Sequence, residues 1–140
     1  MSFKVGILQL NGNYIDIGSH QPARHSNTFL FYLLGWKGIC VDPLPSLKKK
    51  YRFIRGRDKF INAGVFGSRS NLQEEFNFYY YKNHTDNSTF DPARVKELST
   101  NFGREPSSVI SVPKITVAEI LSSSEEFFRE SSEIQLLNLD

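Results

Sequence analysis

The chain has a single cysteine, Cys40, so no internal disulfide can staple it. Its setting in the apolar run "GICV" reads as a small buried hydrophobe rather than a reactive thiol, and a reducing, cytoplasmic home is expected. Long apolar runs are absent too. Nothing approaches the roughly 18 apolar residues that a membrane span needs, which excludes a transmembrane reading. The opening "MSFKVGILQLNG" holds one lysine and too short an apolar stretch for an export signal. Charge of one sign is scarce as well: the formal net charge of +2 is too small to name a partner. Internal repeats and long linkers are missing, so the 140 residues are expected to form one domain.

What the chain does contain is an alternation of strand and helix signals. Tyr14, Ile15 and Ile17 form a short β-prone run that stops at Gly18, and "GSHQPARHS" follows as a polar loop. Ser26 is placed to cap a helix over "FLFYLLGW", with Gly35 just past its end; being apolar nearly all round, this helix is expected to be buried. "GICV" reads as a second strand ending at Asp42-Pro43. Ser46 then caps "LKKKYRFIR", whose apolar face is Leu47, Tyr51 and Ile54 at i, i+4 and i+7. "KFINAGVFG" reads as one third strand. The alternation up to this point predicts an α/β fold with a parallel sheet.

Beyond it the order changes. "EEFNFYYYKN" alternates as a half-exposed strand, Asp91-Pro92 opens a short helix, and "VISV" is a further strand. Thr116 and Glu119 form a capping box for "VAEIL", which a serine-rich link separates from a second short helix around Phe127 and Phe128. "EIQLLNLD" ends the chain as an apolar strand of interior type.

The stretch from Tyr14 to Pro43 has the form of a nucleotide-type cofactor site. Ligands of open α/β sheets bind at the carboxyl ends of the strands, where Gly18 lets a ligand approach the backbone and Asp42 can accept hydrogen bonds from both hydroxyls of a ribose. A strand end with a merely solvated aspartate fits the same pattern. NAD needs its pyrophosphate near the helix N-terminus, where the dinucleotide fingerprint places further glycines, yet this chain has His20 and Ala23 there. S-adenosylmethionine carries no phosphates, so these positions favour a methyl donor. His20, in the same loop, is also a candidate proton acceptor from a substrate hydroxyl.

The blocks "YIDIGSHQP", "SNTFLFYLLGWKGICVDPLPS", "FINAGVFG", "NSTF", "VPKITVAEIL" and "IQLLNLD" resemble, in order and spacing, those of the FkbM-type methyltransferases. The resemblance implies a Rossmann-like class I methyltransferase sheet with strands in the order 3-2-1-4. It implies O-methyl transfer from S-adenosylmethionine to a hydroxyl of a sugar or other small metabolite, with no metal. On the matching positions, Asp16, Gly18 and Ser19 would form the first cofactor loop and Asp42 would hold the ribose. Asn62 and Ala63 would lie near the adenine, and Asp140 would face the transferred methyl. Family members continue past this point with an acidic Glu-Gly segment and the remaining half of the sheet. A truncated domain is therefore expected, with self-association through its C-terminal edge strand.

Other residues have plainer readings. His20, His25 and His84 lack the spacing of a metal site. "LKKKYRFIRGRDK" holds seven basic residues, but Tyr51 shares a face with Leu47, so the lysines read as a solvated surface rather than a nucleic-acid footprint. The tyrosines from Tyr79 to Tyr81 alternate across a strand, so only part of the run could meet a substrate. Besides the methyltransferase, a non-catalytic remnant that keeps only the cofactor half and an NAD-dependent reductase remain as alternatives.

Overall fold

A computed structural model describes residues 11–67, 75–129, 131 and 133–140. The reading of the first ten residues, and Glu74 of the expected strand "EEFNFYYYKN", lie outside these. Among the described residues seven strands and four α-helices follow one another as β1 (Asn13–Ile17), α1 (Phe29–Leu33), β2 (Lys37–Asp42), α2 (Leu47–Ile54), β3 (Lys59–Asn62), β4 (Gly64–Phe66), β5 (Glu75–Tyr80), α3 (Pro92–Phe102), β6 (Ser108–Thr116), α4 (Val117–Phe127) and β7 (Leu136–Leu139). The fold is α/β. Its main sheet has the order β3-β2-β1-β7 with every pairing parallel, matching the expected 3-2-1-4 order with β7 as the fourth strand.

Side chains alternate across a strand, so β1 presents Tyr14 and Asp16 to one face and Ile15 and Ile17 to the other. The first face is covered by α1 and α2, through Leu47, Tyr51 and Trp36 around Tyr14 and Cys40. The second is covered by α4, with Ile120 and Phe128 against Ile15, Ile39 and Val41. Tyr14 fits because its strand partner is Gly38: a Cβ there would lie 1.8 Å from the tyrosine ring. At the free edge of the sheet, β7 leaves Leu137 and Leu139 exposed.

Four expectations need correction. The first helix is neither capped by Ser26 nor buried. It spans five residues after Thr28, and lying on one face of the sheet it turns Leu30 and Leu33 outward. In α2, Ile54 points to solvent and the inward position one turn after Tyr51 belongs to Arg55, because i, i+4 and i+8 continue the stripe that Leu47 begins. The third strand is two. β3 ends at Asn62, Ala63 turns the chain, and β4 leaves for a second sheet of order β4-β6-β5. Finally, no link breaks α4, because the Ser123 and Ser124 hydroxyls donate back to the carbonyls of Ile120 and Leu121 and stay within the helix.

The second sheet rests on short-range chemistry that the sequence displays. Asp91 caps α3 by accepting from the Ala93 amide, with Pro92 at N1, and Gly103 closes it in the left-handed region. β6 pairs antiparallel with β5 over its first part and parallel with β4 over its last. Pro113, which has no N–H to give to a ladder, sits where one pairing hands over to the other. Phe66, Phe76, Phe78 and Phe90 pack ring against ring beside it.

Candidate functional site

The carboxyl ends of β1, β2, β3 and β7 come together, and with them Asp16, Gly18, Ser19, His20, Asp42, Asn62, Ala63 and Asp140, whereas His84 and Tyr79–Tyr81 lie with the second sheet. β1 stops at Gly18, whose φ of 73° lies in the left-handed region that glycine enters without strain. Its amide and that of Ser19 both donate to the Val41 carbonyl, which pins the turn to β2. A Cβ at Gly18 would stand 2.6 Å from the Asp140 carbonyl oxygen. The close approach that requires this glycine is therefore the end of β7, and the glycine alone is no evidence of a ligand.

Asp42, at the end of β2, is 7% exposed. One of its carboxylate oxygens accepts from the His20 amide and the other from the Leu44 amide, each at 2.9 Å. Burial pushes its pKa above the usual carboxylate range, opposed by these two backbone hydrogen bonds. The aspartate thus organises the turn and is buried rather than merely solvated as the plainer reading had it, yet each oxygen keeps a second lone pair for another donor. Asn62 and Ala63 bond the Asp42 carbonyl, through the Asn62 side-chain amide at 2.9 Å and the Ala63 N–H at 3.2 Å, so the end of β3 is tied to the same point.

Inside the loop the Ser19 hydroxyl is buried without a hydrogen-bond partner among the described residues, while the Ser19 carbonyl accepts from the Tyr51 hydroxyl. An unpaired buried hydroxyl is costly, and a bound polar group beside it would relieve that cost. His20 has a φ of 48°, and its Nδ1 accepts from the Gln21 amide at 2.8 Å. In the neutral ring this leaves Nε2 as the protonated nitrogen, which donates rather than accepts. His25 and His84 are exposed, and no group of metal-ligating residues occurs among the described residues.

A second set of side chains surrounds Asp16, which is 1% exposed. Thr28 donates to one of its oxygens at 2.5 Å and Asn138 to the other at 2.9 Å. Burial raises its pKa, with these two hydrogen bonds and Arg55 acting against the rise. The same Asn138 nitrogen reaches the Asp140 carboxylate at 3.2 Å, and the Asn27 amide donates to Asp140 from the other side. Asp140 is exposed.

Behind this cluster lies Arg55, with no exposed surface and every donor used. Its Nε meets Asp58 at 2.7 Å, Nη1 reaches the Pro22 carbonyl and Ser26 Oγ, and Nη2 reaches the Tyr14 hydroxyl at 2.6 Å and Thr28 Oγ1 at 2.9 Å. The rings of Tyr14, Tyr32 and Tyr51 surround the guanidinium. Asp58 also accepts from the Tyr14 hydroxyl and from the Gly38 amide. Sequence reasoning missed Arg55, Asp58, Thr28, Asn27 and Asn138. Two signals for them exist: Arg55 continues the Leu47–Tyr51 stripe, and Asn138 is the one polar residue inside "LLNL", opposite Asp16 in register.

A cleft of about 810 Å³ opens elsewhere, at the amino ends of the main-sheet strands, between Asn13, Lys37, Lys59 and Phe128. It lies at the opposite end of the strands from the residues above. Ligands of parallel α/β sheets bind at the carboxyl ends, so the cleft is not assigned to the cofactor. Comparisons of the chain with protein-family models, with curated proteins and with solved structures gave no match. No helix among the described residues is long and apolar enough to cross a membrane.

Proposed function

We propose that this chain is an S-adenosylmethionine-dependent O-methyltransferase of the FkbM type, acting on a hydroxyl of a sugar or other small metabolite. The observation that carries the reading is Asp42. It stands at the end of β2 with lone pairs to spare, beside a loop in which the Ser19 hydroxyl is buried and unpartnered among the described residues. S-adenosylmethionine, when bound, supplies a methyl group already activated by its sulfonium charge. The chain's own residues then bind and orient.

Asp42 accepts hydrogen bonds from the ribose hydroxyls, and Asp16 with Ser19 lines the first loop. Asn62 and Ala63, tied to the Asp42 carbonyl, form the wall toward the adenine. Asp140 is the better proton acceptor of the two candidates. It is an exposed carboxylate oriented by Asn27 and Asn138, whereas the Nδ1 lone pair of His20 is engaged by Gln21. Three carboxylates, Asp16, Asp42 and Asp140, end adjacent strands. They favour a cationic sulfonium and oppose a pyrophosphate, which tells against an NAD-dependent reductase.

A second reading is cofactor binding without turnover, since Asp16, Ser19, Asp42, Asn62 and Ala63 are all offered to the cofactor and only Asp140 to an acceptor. Titration calorimetry with S-adenosylmethionine, S-adenosylhomocysteine and NAD, together with an assay of S-adenosylhomocysteine release on a panel of sugars, separates the readings. Asp42→Ala should weaken S-adenosylmethionine binding by about 1.5–3 kcal/mol, the range for hydrogen bonds to a charged group, and Asp42→Asn by less. Unchanged affinity in a folded Asp42→Ala variant sinks the assignment.

A further inference from the structure

The polar network behind Asp16 has a direction. A threonine hydroxyl has one hydrogen. Because Arg55 Nη2 donates to Thr28 Oγ1, the Thr28 oxygen serves there as acceptor and its single hydrogen is turned to Asp16 Oδ2. Arg55 has nowhere else to go, since its five N–H groups are held by Asp58, Pro22, Ser26, Tyr14 and Thr28. Asn138 fixes the other oxygen of Asp16. A carboxylate held at both oxygens by donors, one of them polarised by a guanidinium, has its orientation set before any ligand arrives.

We propose that Arg55 is a positioning residue for the Asp16 carboxylate, acting through the Thr28 hydroxyl, so that the end of α2 sets the orientation and the charge of the acid at the end of β1. The inference deepens the cofactor reading and rests on it for the ligand that Asp16 would meet. The relay itself is a property of the chain alone. Burial opposes the ionised form of Asp16, and donors aimed at its oxygens counter that opposition. The other charged or titratable groups acting around it are Asp140 after β7, Asp42 and Cys40 on β2, and Tyr51 on α2. Arg55 is the one cation in this set, and it reaches Asp16 through Thr28.

The test is a carbon-13 NMR titration of the Asp16 side-chain carboxyl in the ligand-free protein, with S-adenosylhomocysteine calorimetry run in parallel. Thr28→Val keeps the shape and removes the relay. It should raise the Asp16 midpoint by about one pH unit or more, the equivalent of one hydrogen bond to a charged group. Thr28→Ser should restore the wild-type midpoint, which a purely packing role for Thr28 would not do. Arg55→Lys, which lacks the planar fork, should move the midpoint in the same direction. An unmoved midpoint in folded Thr28→Val overturns the relay. A shifted Thr28→Val beside an unmoved, folded Arg55→Lys overturns the part assigned to Arg55, and if Arg55→Lys does not fold, Arg55→Gln, which keeps an amide donor without the guanidinium charge, is read in its place with the same two outcomes. A shifted midpoint in a protein that binds no S-adenosylhomocysteine upholds the relay and overturns the cofactor reading instead.

Discussion

The two faces of the main sheet solve different problems with the same strands. Toward α4, Ile15, Ile39 and Val41 meet Ile120 and Phe128, and the interface contains side chains of one kind that gain from burial and from little else. Toward α1 and α2, the neighbours in sequence are Tyr14, Asp16, Cys40 and Asp42, which meet an arginine with every donor spoken for. The apolar face tolerates exchange of one hydrocarbon for another, since area and volume are what it uses. On the polar face every Arg55 donor and both Asp16 oxygens have a designated partner. That face specifies positions, and the candidate site grows from it.

The contrast can be tested hardest at Arg55. Arg55→Met leaves the Asp58 carboxylate buried without its counter-charge, and the expected loss in urea unfolding is about 3–5 kcal/mol. Ile39→Val on the opposite face should cost only about 0.5–1.5 kcal/mol. Comparable losses would erase the distinction between the faces. Pairing Arg55→Met with Asp58→Leu should recover much of the loss, since both charges are then gone.

Gly18→Val comes next. A side chain in the left-handed region costs at least about 1–2 kcal/mol, and here it also collides with the Asp140 carbonyl. Thermal unfolding should show the loss, and faster hydrogen exchange at the Asp140 amide, which donates to Ile17, should show β7 loosening. A variant as stable as the parent would mean that the turn adopts another conformation.

The polar face also carries a pH signature. Burial, and in second place Asp58, pushes the Tyr14 hydroxyl well above its ordinary value of 10.0, and burial does the same to Tyr51. Unfolded tyrosines release their protons near pH 10 while these two keep theirs. The stability they contribute is therefore intact below pH 10 and falls as pH rises beyond it, by about 1.4 kcal/mol per pH unit for each residue. Urea midpoints measured from pH 8 to 11 should fall less steeply in Tyr14→Phe. Equal slopes would show that Tyr14 ionises as freely folded as unfolded.

The smallest effect sharpens the comparison at the helix starts. Thr116 and Glu119 form a complete capping box on the α4 side, whereas Ser46 makes no side-chain cap to α2. Thr116→Ala should cost about 1 kcal/mol and Ser46→Ala only a few tenths. The reverse order would contradict the cap geometry.

What the sequence made legible divides along the same line. Periodicity and capping residues located β1, β2, α2, α3 and the start of α4, because these signals act over a few residues. The strand ends found in this way also brought Gly18, His20 and Asp42 to one end of one sheet, and the family resemblance implied the same place for Asp16, Ser19, Asn62, Ala63 and Asp140. Arg55 was hidden because its reason for burial is spread over Pro22, Ser26, Thr28, Tyr14 and Asp58, no two of which form a local pattern. The break at Ala63 was hidden for a related reason: "KFINAGVFG" is uniformly β-prone, and only pairing with β6 decides where one sheet ends and the next begins.

That break has a mechanical consequence. One residue, Ala63, separates β3 from β4, and none separates β6 from α4, where Thr116 ends the strand and caps the helix at once. The chain therefore enters the second sheet through one residue, and leaves it directly into the helix that covers the apolar face of the first. The second sheet is thus tethered at two places, at α4 under the apolar face and at Asn62 and Ala63, which grip the carbonyl of Asp42.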